Sequence, residues 1–348
     1  MISFSTGMAF RDYCRRVLAL LLFGCALIFA APVRAQQPDD VVTTNTALVQ
    51  LSVGVVDQQG RAITTLGSND FVIYEDGVKR PILLFEPADT PFSLVLLLDM
   101  SGSTINFRQQ IRAAALRFLD ALSPQDRVAV VQFNGKGVKS LLGFSTDRNR
   151  TAYAITDLAN GAGETFLYDA LKFSIKELAR EGKRRKAIVV LTDGKDTGVQ
   201  KEDRAVVSKF DAADPKISSA IQAEANSQLN AVLNEADRQG VTIFPLGLPS
   251  GDPKRLPMPD PFITAMYSAA RTRLQLLADR TGGRLHEIRR LDDLSRLYAQ
   301  VAADLRTLYT IAYQQPNPNT RDGKWRAIRI ELARADLVAS TKPGYYAR

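Results

Sequence analysis

The sequence predicts an α/β protein: a doubly wound, mostly parallel sheet flanked by a small β unit built from N- and C-terminal segments. Three observations predict it. Ser93–Leu98 is a continuous apolar run with the character of a strand buried on both faces of a parallel sheet, Val241–Leu246 is again of that buried type, and Arg127–Phe133 and Ala187–Leu191 are further strands. Stretches with apolar residues at helical spacing separate these runs, and that alternation is the signature of βαβ units. At both ends of the chain the period falls to two, as in half-buried strands.

The elements follow in order. Leu48 to Val56 places Val49, Leu51, Val53 and Val55 on one face, with Gln50, Ser52 and Gly54 on the other. Phe71 to Glu75 is a second strand, running into a turn at Glu75-Asp76-Gly77, and Ile82 to Glu86 is a third. After the first buried strand, Ile111, Ala115, Phe118 and Leu122 mark a helix. Gly135 and Gly137 suggest a tight connection to an antiparallel edge strand at Val138–Leu142. Helices are expected at about 148–158, 167–180, 218–239 and 264–280, the last capped by Gly282-Gly283. Leu291, Leu294, Leu297, Val301, Leu305 and Leu308 share one face of a final helix. Tyr309–Tyr313 and Trp325–Leu332 then return to β alternation, joined by a polar loop from Pro316 to Gly323.

The first 35 residues read as an export signal. Arg11, Arg15 and Arg16 precede an almost wholly apolar run from Val17 to Ala31, and Val33-Arg34-Ala35 has small residues where a signal peptidase reads. The run is about 15 residues, short of the roughly 20 that span a bilayer as a helix. Cleavage is expected after Ala35, leaving a secreted, periplasmic or envelope protein without a stable membrane span. An uncleaved anchor is the alternative. Lipid attachment at Cys25 is discounted, because the apolar run continues past it through Ala26-Leu27-Ile28-Phe29. This reading divides the chain into a signal peptide over 1–35, an N-terminal β segment over 36–90, the α/β domain over 91–308, and a C-terminal β segment over 309–348 that packs with 47–86.

Composition excludes several functions. The chain has 45 Lys and Arg against 37 Asp and Glu, a net charge of +8. Four arginines and one aspartate lie within the first 35 residues, so the mature chain has 41 against 36, or +5. That is too mild to argue for nucleic acid, and no motif interleaves basic and stacking residues. Both cysteines, Cys14 and Cys25, fall in the signal, so the mature chain offers neither a disulfide nor a thiolate.

The chemistry lies where strands end. Open α/β sheets bind ligands just beyond the carboxyl ends of their strands. The first buried strand ends in Asp99-Met100-Ser101-Gly102-Ser103, and the strand Ala187–Leu191 ends in Thr192-Asp193-Gly194. Between them, Gly161-Ala162-Gly163-Glu164-Thr165 forms a loop before a helix. Two carboxylates and three hydroxyls are hard oxygen donors, suited to Mg2+, Mn2+ or Ca2+ and not to zinc or copper. The carboxylates balance a dication, and the neutral hydroxyls ligate without adding negative charge. A lone Asp-x-Ser-x-Ser is weak evidence, since either serine can cap the next helix and Asp-Gly is a common turn. The three pieces in this order at strand ends are much more specific.

This pattern resembles the metal-ion-dependent adhesion site of von Willebrand factor A-type (VWA) domains, with all five positions filled. The resemblance implies a Rossmann-like VWA fold, direct metal ligation by Ser101, Ser103 and Thr165, and ligation mainly through bound water by Asp99 and Asp193. Asp169 sits in Tyr168-Asp169-Ala170-Leu171, similar to the family's usual continuation, and is read as supporting the metal loop. Outside the core, Asp70 through Gly77, Thr281-Gly282-Gly283, and Asp322-Gly323-Lys324-Trp325 through Lys342-Pro343-Gly344-Tyr345-Tyr346 resemble the VWFA-related subfamily first noted in acidobacteria. One departure is a polar insertion between Val199 and about Ala220, beside the metal face, read as a neutral surface loop with a role in partner choice as the alternative.

The function expected is an exported, metal-dependent binding or adhesion module, not an enzyme, whose cation captures an Asp or Glu carboxylate of a protein partner. The alternatives are a structural envelope protein whose metal only stabilises the fold, or a metal-dependent hydrolase. The hydrolase would need a general base or a second metal. His286 is the only histidine and lies away from the site, which speaks against a Ser-His-Asp triad. The chain lacks His-Glu-x-x-His, and Gly161-x-Gly163 lacks the Lys-Ser/Thr of a phosphate loop. The run Lys183 to Lys186 ends a helix and is read as serving its dipole alone.

Overall fold

The computed structural model describes residues 48–347, apart from 183, 250, 251, 254, 255, 291, 292 and 317–321. The expected signal, its cleavage site, both cysteines and Leu291 lie outside the described residues. Thr46–Arg348 forms one compact unit. No helix among the described residues is long and apolar enough to cross a membrane.

The centre is a six-stranded sheet in the order β10-β9-β8-β5-β6-β7. Its strands are β5 (Phe92–Asp99), β6 (Arg127–Asn134), β7 (Gly137–Ser145), β8 (Arg185–Thr192), β9 (Val241–Gly247) and β10 (His286–Glu287). All pairings are parallel except β6 with β7, the expected antiparallel edge. Every residue of β5 is buried, because helices cover both faces. On one face Leu94, Leu96 and Leu98 meet α1 (Arg108–Ala121) and α7 (Leu294–Thr307). On the other, Val95 and Leu97 meet α3 (Leu167–Ala179), α5 (Ser227–Gln239) and α6 (Pro261–Thr281). A short helix α2 (Arg148–Tyr153) precedes a single π turn, and Gly282 caps α6 as expected.

The chain leaves β5 toward β6 on one side and returns to β8 on the other. The direction of winding therefore reverses at β5, and open α/β sheets bind ligands beyond the carboxyl ends of the strands at such a reversal.

The chain ends form a β sandwich. One sheet has the order β13-β1-β11-β4, the other β14-β12-β2-β3. Their strands are β1 (Leu48–Asp57), β2 (Phe71–Glu75), β3 (Val78–Arg80), β4 (Leu84–Glu86), β11 (Leu308–Gln314), β12 (Trp325–Leu332), β13 (Leu337–Ser340) and β14 (Gly344–Tyr346). N-terminal β1 pairs with C-terminal β11 and β13, and β2 pairs with β12. Val49, Leu51, Val53 and Val55 point into the shared core with Phe71, Ile73, Tyr309, Ile311 and Tyr313. The short strands β3, β13 and β14 were not expected, and the strand expected at Ile82–Glu86 is confined to Leu84–Glu86.

Two sequence readings are corrected. The supposed surface loop after Val199 is largely helical: α4 (Thr197–Val207) is followed by 3-10 turns at Pro215–Ser219 and Ala223–Ala225. Its residues Val207 and Ile217 bury against Ala265 of α6. The helix expected from about 218 starts at Ser227, where Asn226 caps it by accepting from the Leu229 amide.

The second correction concerns Arg185, which does more than complement a helix dipole. It is 1% exposed. Its guanidinium donates to the carbonyls of Ala88 and Thr90 at 2.8 and 3.0 Å, to Leu305 at 3.1 Å, and to Leu308. It also stacks 3.9 Å from the centre of the Phe92 ring. One side chain thus ties the segment between β4 and β5 to the junction of α7 and β11.

Candidate metal centre

The parallel register sets Leu98 beside Leu191, so Asp99 and Thr192 are neighbours at the sheet's carboxyl edge. Thr192 Oγ1 donates to Asp99 Oδ2 at 2.8 Å, and the Ser101 amide donates to Asp99 Oδ1 at 3.0 Å. Both carboxylate oxygens are thereby oriented. Asp99 and Asp193 are fully buried. Burial, and then the charge of Asp193, push the Asp99 carboxyl up to about 7 against the opposing hydrogen bonds from Ser101 and Thr192.

The Asp-x-Ser-x-Ser segment forms a tight turn. Ser101 Oγ and Ser103 Oγ lie 3.1 Å apart. Thr104 Oγ1 donates to the carbonyls of Asp99 and Ser101 at 2.8 and 3.0 Å, which fixes the turn from behind.

The Thr165 loop is held against this turn by backbone. Gly102 N donates to Gly163 O at 3.0 Å, and Gly135 N donates to Ala162 O at 2.9 Å. A Cβ on Gly135 would stand 2.8 Å from Ala162 O, and Gly163 has a φ of +89°, so side chains are excluded from this crossing. Arg108, the first residue of α1, spans both loops, donating to Met100 O at 3.2 Å, Ser101 O at 3.4 Å, and Gly161 O.

Thr165 itself is 6% exposed. Its amide donates to Thr197 Oγ1 at 3.0 Å, and the Thr197 amide donates to Thr165 O at 2.9 Å. Beside this clamp, Asp196 caps α4 through the amides of Gly198 and Val199 and accepts weakly from the Tyr168 amide at 3.4 Å. Asp169, the expected brace, points outward instead. Its side chain is 65% exposed and faces Lys172 at 3.6 Å. Asp169 opens α3 with its carboxylate on the outer face, so Asp196 and Thr197, from the Asp193 side, brace the loop in its place.

Asp193 accepts from the Lys195 amide through Oδ1 at 3.2 Å. Its Oδ2 takes no hydrogen bond, although the Lys195 ammonium lies 3.1 Å away; the two meet as charges, outside hydrogen-bond angles. A buried carboxylate oxygen without a hydrogen bond is costly unless a cation satisfies it. Among the described residues no group of three or more His, Cys, Asp or Glu side chains assembles, so the candidate is this mixed set of carboxylates and hydroxyls. Its all-oxygen donors and two buried acids suit a hard divalent cation.

Residues 94–195 match the family model of the von Willebrand factor type A domain. The chain carries a VWA domain. The matched stretch begins in β5 and ends just past Asp193, so it contains every expected metal-site residue. No curated protein matches the sequence. Among solved structures, the chain is similar to a von Willebrand factor type A protein from Catenulispora acidiphila, at 13% identity and TM-score 0.45 over 87% of this chain and 74% of that one. An aerotolerance-related membrane protein from Bacteroides fragilis NCTC 9343 is similar at 14% identity and TM-score 0.42, over 61% and 98%. The vWF domain of the type V pili tip protein Mfa5 from Porphyromonas gingivalis is similar at 16% identity and TM-score 0.43, over 62% and 95%.

Sequence reasoning proposed five metal-site positions but gave no role to Thr192, Lys195, Asp196, Thr197 and Arg108, which the structure places around them. Asp196 was findable, since an Asp just before Thr-Gly-Val has the form of a helix cap. Arg108 carried no local signal, because its partners are carbonyls from loops far apart in the chain.

Proposed function

We propose that this protein is an exported binding module in which a divalent cation, Mg2+ or else Mn2+ or Ca2+, is held by Asp99, Ser101, Ser103, Thr165 and Asp193 and captures a carboxylate of a protein partner. The observation that carries this reading is that two fully buried carboxylates, Asp99 and Asp193, lie close enough at the winding reversal for the charge of one to act on the other. The bound ion supplies a Lewis-acid position for an outside oxygen. The chain's part is to hold that position rigidly. The Ser101 amide and Thr192 aim Asp99, Thr104 locks the serine turn, and Thr197 and Arg108 set the Thr165 loop against it. The protein contributes two negative charges to a dication, so an incoming Asp or Glu is still attracted at close range. Binding, not turnover, is the role this supports.

The test is capture of envelope proteins on immobilised wild type, Asp99→Ala and Thr165→Ala, in Mg2+ and in EDTA. Capture by wild type in Mg2+ alone, lost in both variants, is expected. Capture that survives EDTA would overturn the mechanism.

A further inference from the structure

One feature of the centre belongs to this chain's own sequence: the residue two places after Asp193 is a lysine. Lys195 engages both oxygens of that carboxylate, its amide with Oδ1 at 3.2 Å and its ammonium with Oδ2 at 3.1 Å. Asp193 is fully buried, while the Lys195 side chain keeps 24% of its surface exposed. A lysine has a flexible four-carbon stem and a strongly hydrated head, so it can leave a buried partner for water at low cost.

We propose that Lys195 is a built-in counter-cation of the centre, which pairs with Asp193 in the metal-free protein and competes with the divalent ion for that carboxylate. This rests on the metal-site reading above. The physical argument is charge balance in a dry site. Without a metal, an unpaired Asp193 carboxylate would stand buried, which is strongly unfavourable, and the ammonium removes that cost. With a metal, a dication and an ammonium would share one carboxylate, and like charges a few ångströms apart repel. The lysine therefore stabilises the empty centre and weakens the filled one. Occupancy then depends on the surrounding ion concentration, and partner capture becomes a response to divalent cation.

The experiment uses the mature protein, with Mg2+ and Mn2+ alone as probes. Lys195→Met keeps the apolar stem and removes the charge; Lys195→Arg keeps the charge. Calorimetry should show Lys195→Met binding the ion at least about tenfold more tightly than wild type, with Lys195→Arg close to wild type. In EDTA, Lys195→Met should melt at a lower temperature than wild type, and saturating Mg2+ should raise its melting temperature by more. Unchanged or weaker metal binding in Lys195→Met, in a protein that still melts cooperatively, overturns the proposal. Asp99→Ala separates the two levels. If it abolishes metal binding while Lys195→Met changes nothing, this inference alone fails. If Asp99→Ala binds as well as wild type, or wild type itself does not bind, the metal-site reading fails and takes the inference with it.

Discussion

Arg273 of α6 donates to both oxygens of Asp203 of α4, Nη1 to Oδ2 at 2.7 Å and Nη2 to Oδ1 at 2.6 Å, with both side chains buried. This two-pronged pair fastens the helix that follows the Asp193 loop onto the helix beyond β9. Breaking one partner leaves an uncompensated buried charge. Arg273→Met should therefore cost about 3–5 kcal/mol of stability, while the double change Asp203→Leu with Arg273→Met should recover much of that loss. Chemical denaturation of the four proteins of this cycle checks it. A single-variant cost below about 1 kcal/mol would show that the pair is not holding α4.

Arg185 offers a second test. Its guanidinium serves four carbonyls, from Ala88, Thr90, Leu305 and Leu308. Arg185→Met keeps the stem but orphans those acceptors, at an expected cost of about 3 kcal/mol or more. Amide exchange should rise around 84–92 and 305–309 before it rises in β5. Uniform loosening across the sheet would contradict the assignment of Arg185 as a local tie.

The sandwich depends on both chain ends. β2 has β12 on one side and only the three-residue β3 on the other. Isolated hairpins are marginal in water. Deleting 325–348 should therefore expose amides in 48–86 to exchange. Unchanged protection there would mean that the N-terminal strands stand alone.

Alkaline pH provides a fourth test. Burial raises the phenols of Tyr168 and Tyr298 above their ordinary value near 10. Burial does the same to Tyr313 and Tyr345, both of which also donate to Glu75 Oε2, at 2.6 and 3.1 Å. A raised folded value means that the unfolded chain loses its protons first as pH climbs. The stability contribution is complete below about pH 10 and is lost above it, by about 1.4 kcal/mol per pH unit for each such tyrosine. Urea midpoints measured from pH 7 to 11 should stay level and then fall. Tyr313→Phe should shallow that fall, and an equally steep fall would remove Tyr313 from the account.

Much of the sheet was legible because it is written in local pattern. The run Phe92–Asp99 has no polar interruption except Ser93, and the alternation of β1 matches its buried face residue for residue. The candidate centre was legible in part for a related reason: Asp99 ends β5 and Asp193 follows β8, so chain direction alone brings them to one edge, whereas Thr165 comes from the loop before α3. What escaped depends on distant partners. α4 has few apolar residues, and its buried Asp203 is explained only by Arg273, seventy positions away. β13 and β14 are short edge strands whose pairing is supplied by β1 and β12. Arg185 looked like one more cation in a surface run, since nothing local marks it as the buried one. Asp169 was misplaced because a four-residue match says nothing about which face of α3 its side chain takes.

The central claim is that Asp99 and its neighbours hold a divalent cation. Titrating MgCl2 into the protein, stripped of metal beforehand, tests it most directly, with Asp99→Ala measured alongside. The account predicts saturable binding of one ion per chain in wild type, and none in Asp99→Ala, which should still melt cooperatively. Equal affinity in the two proteins would contradict it.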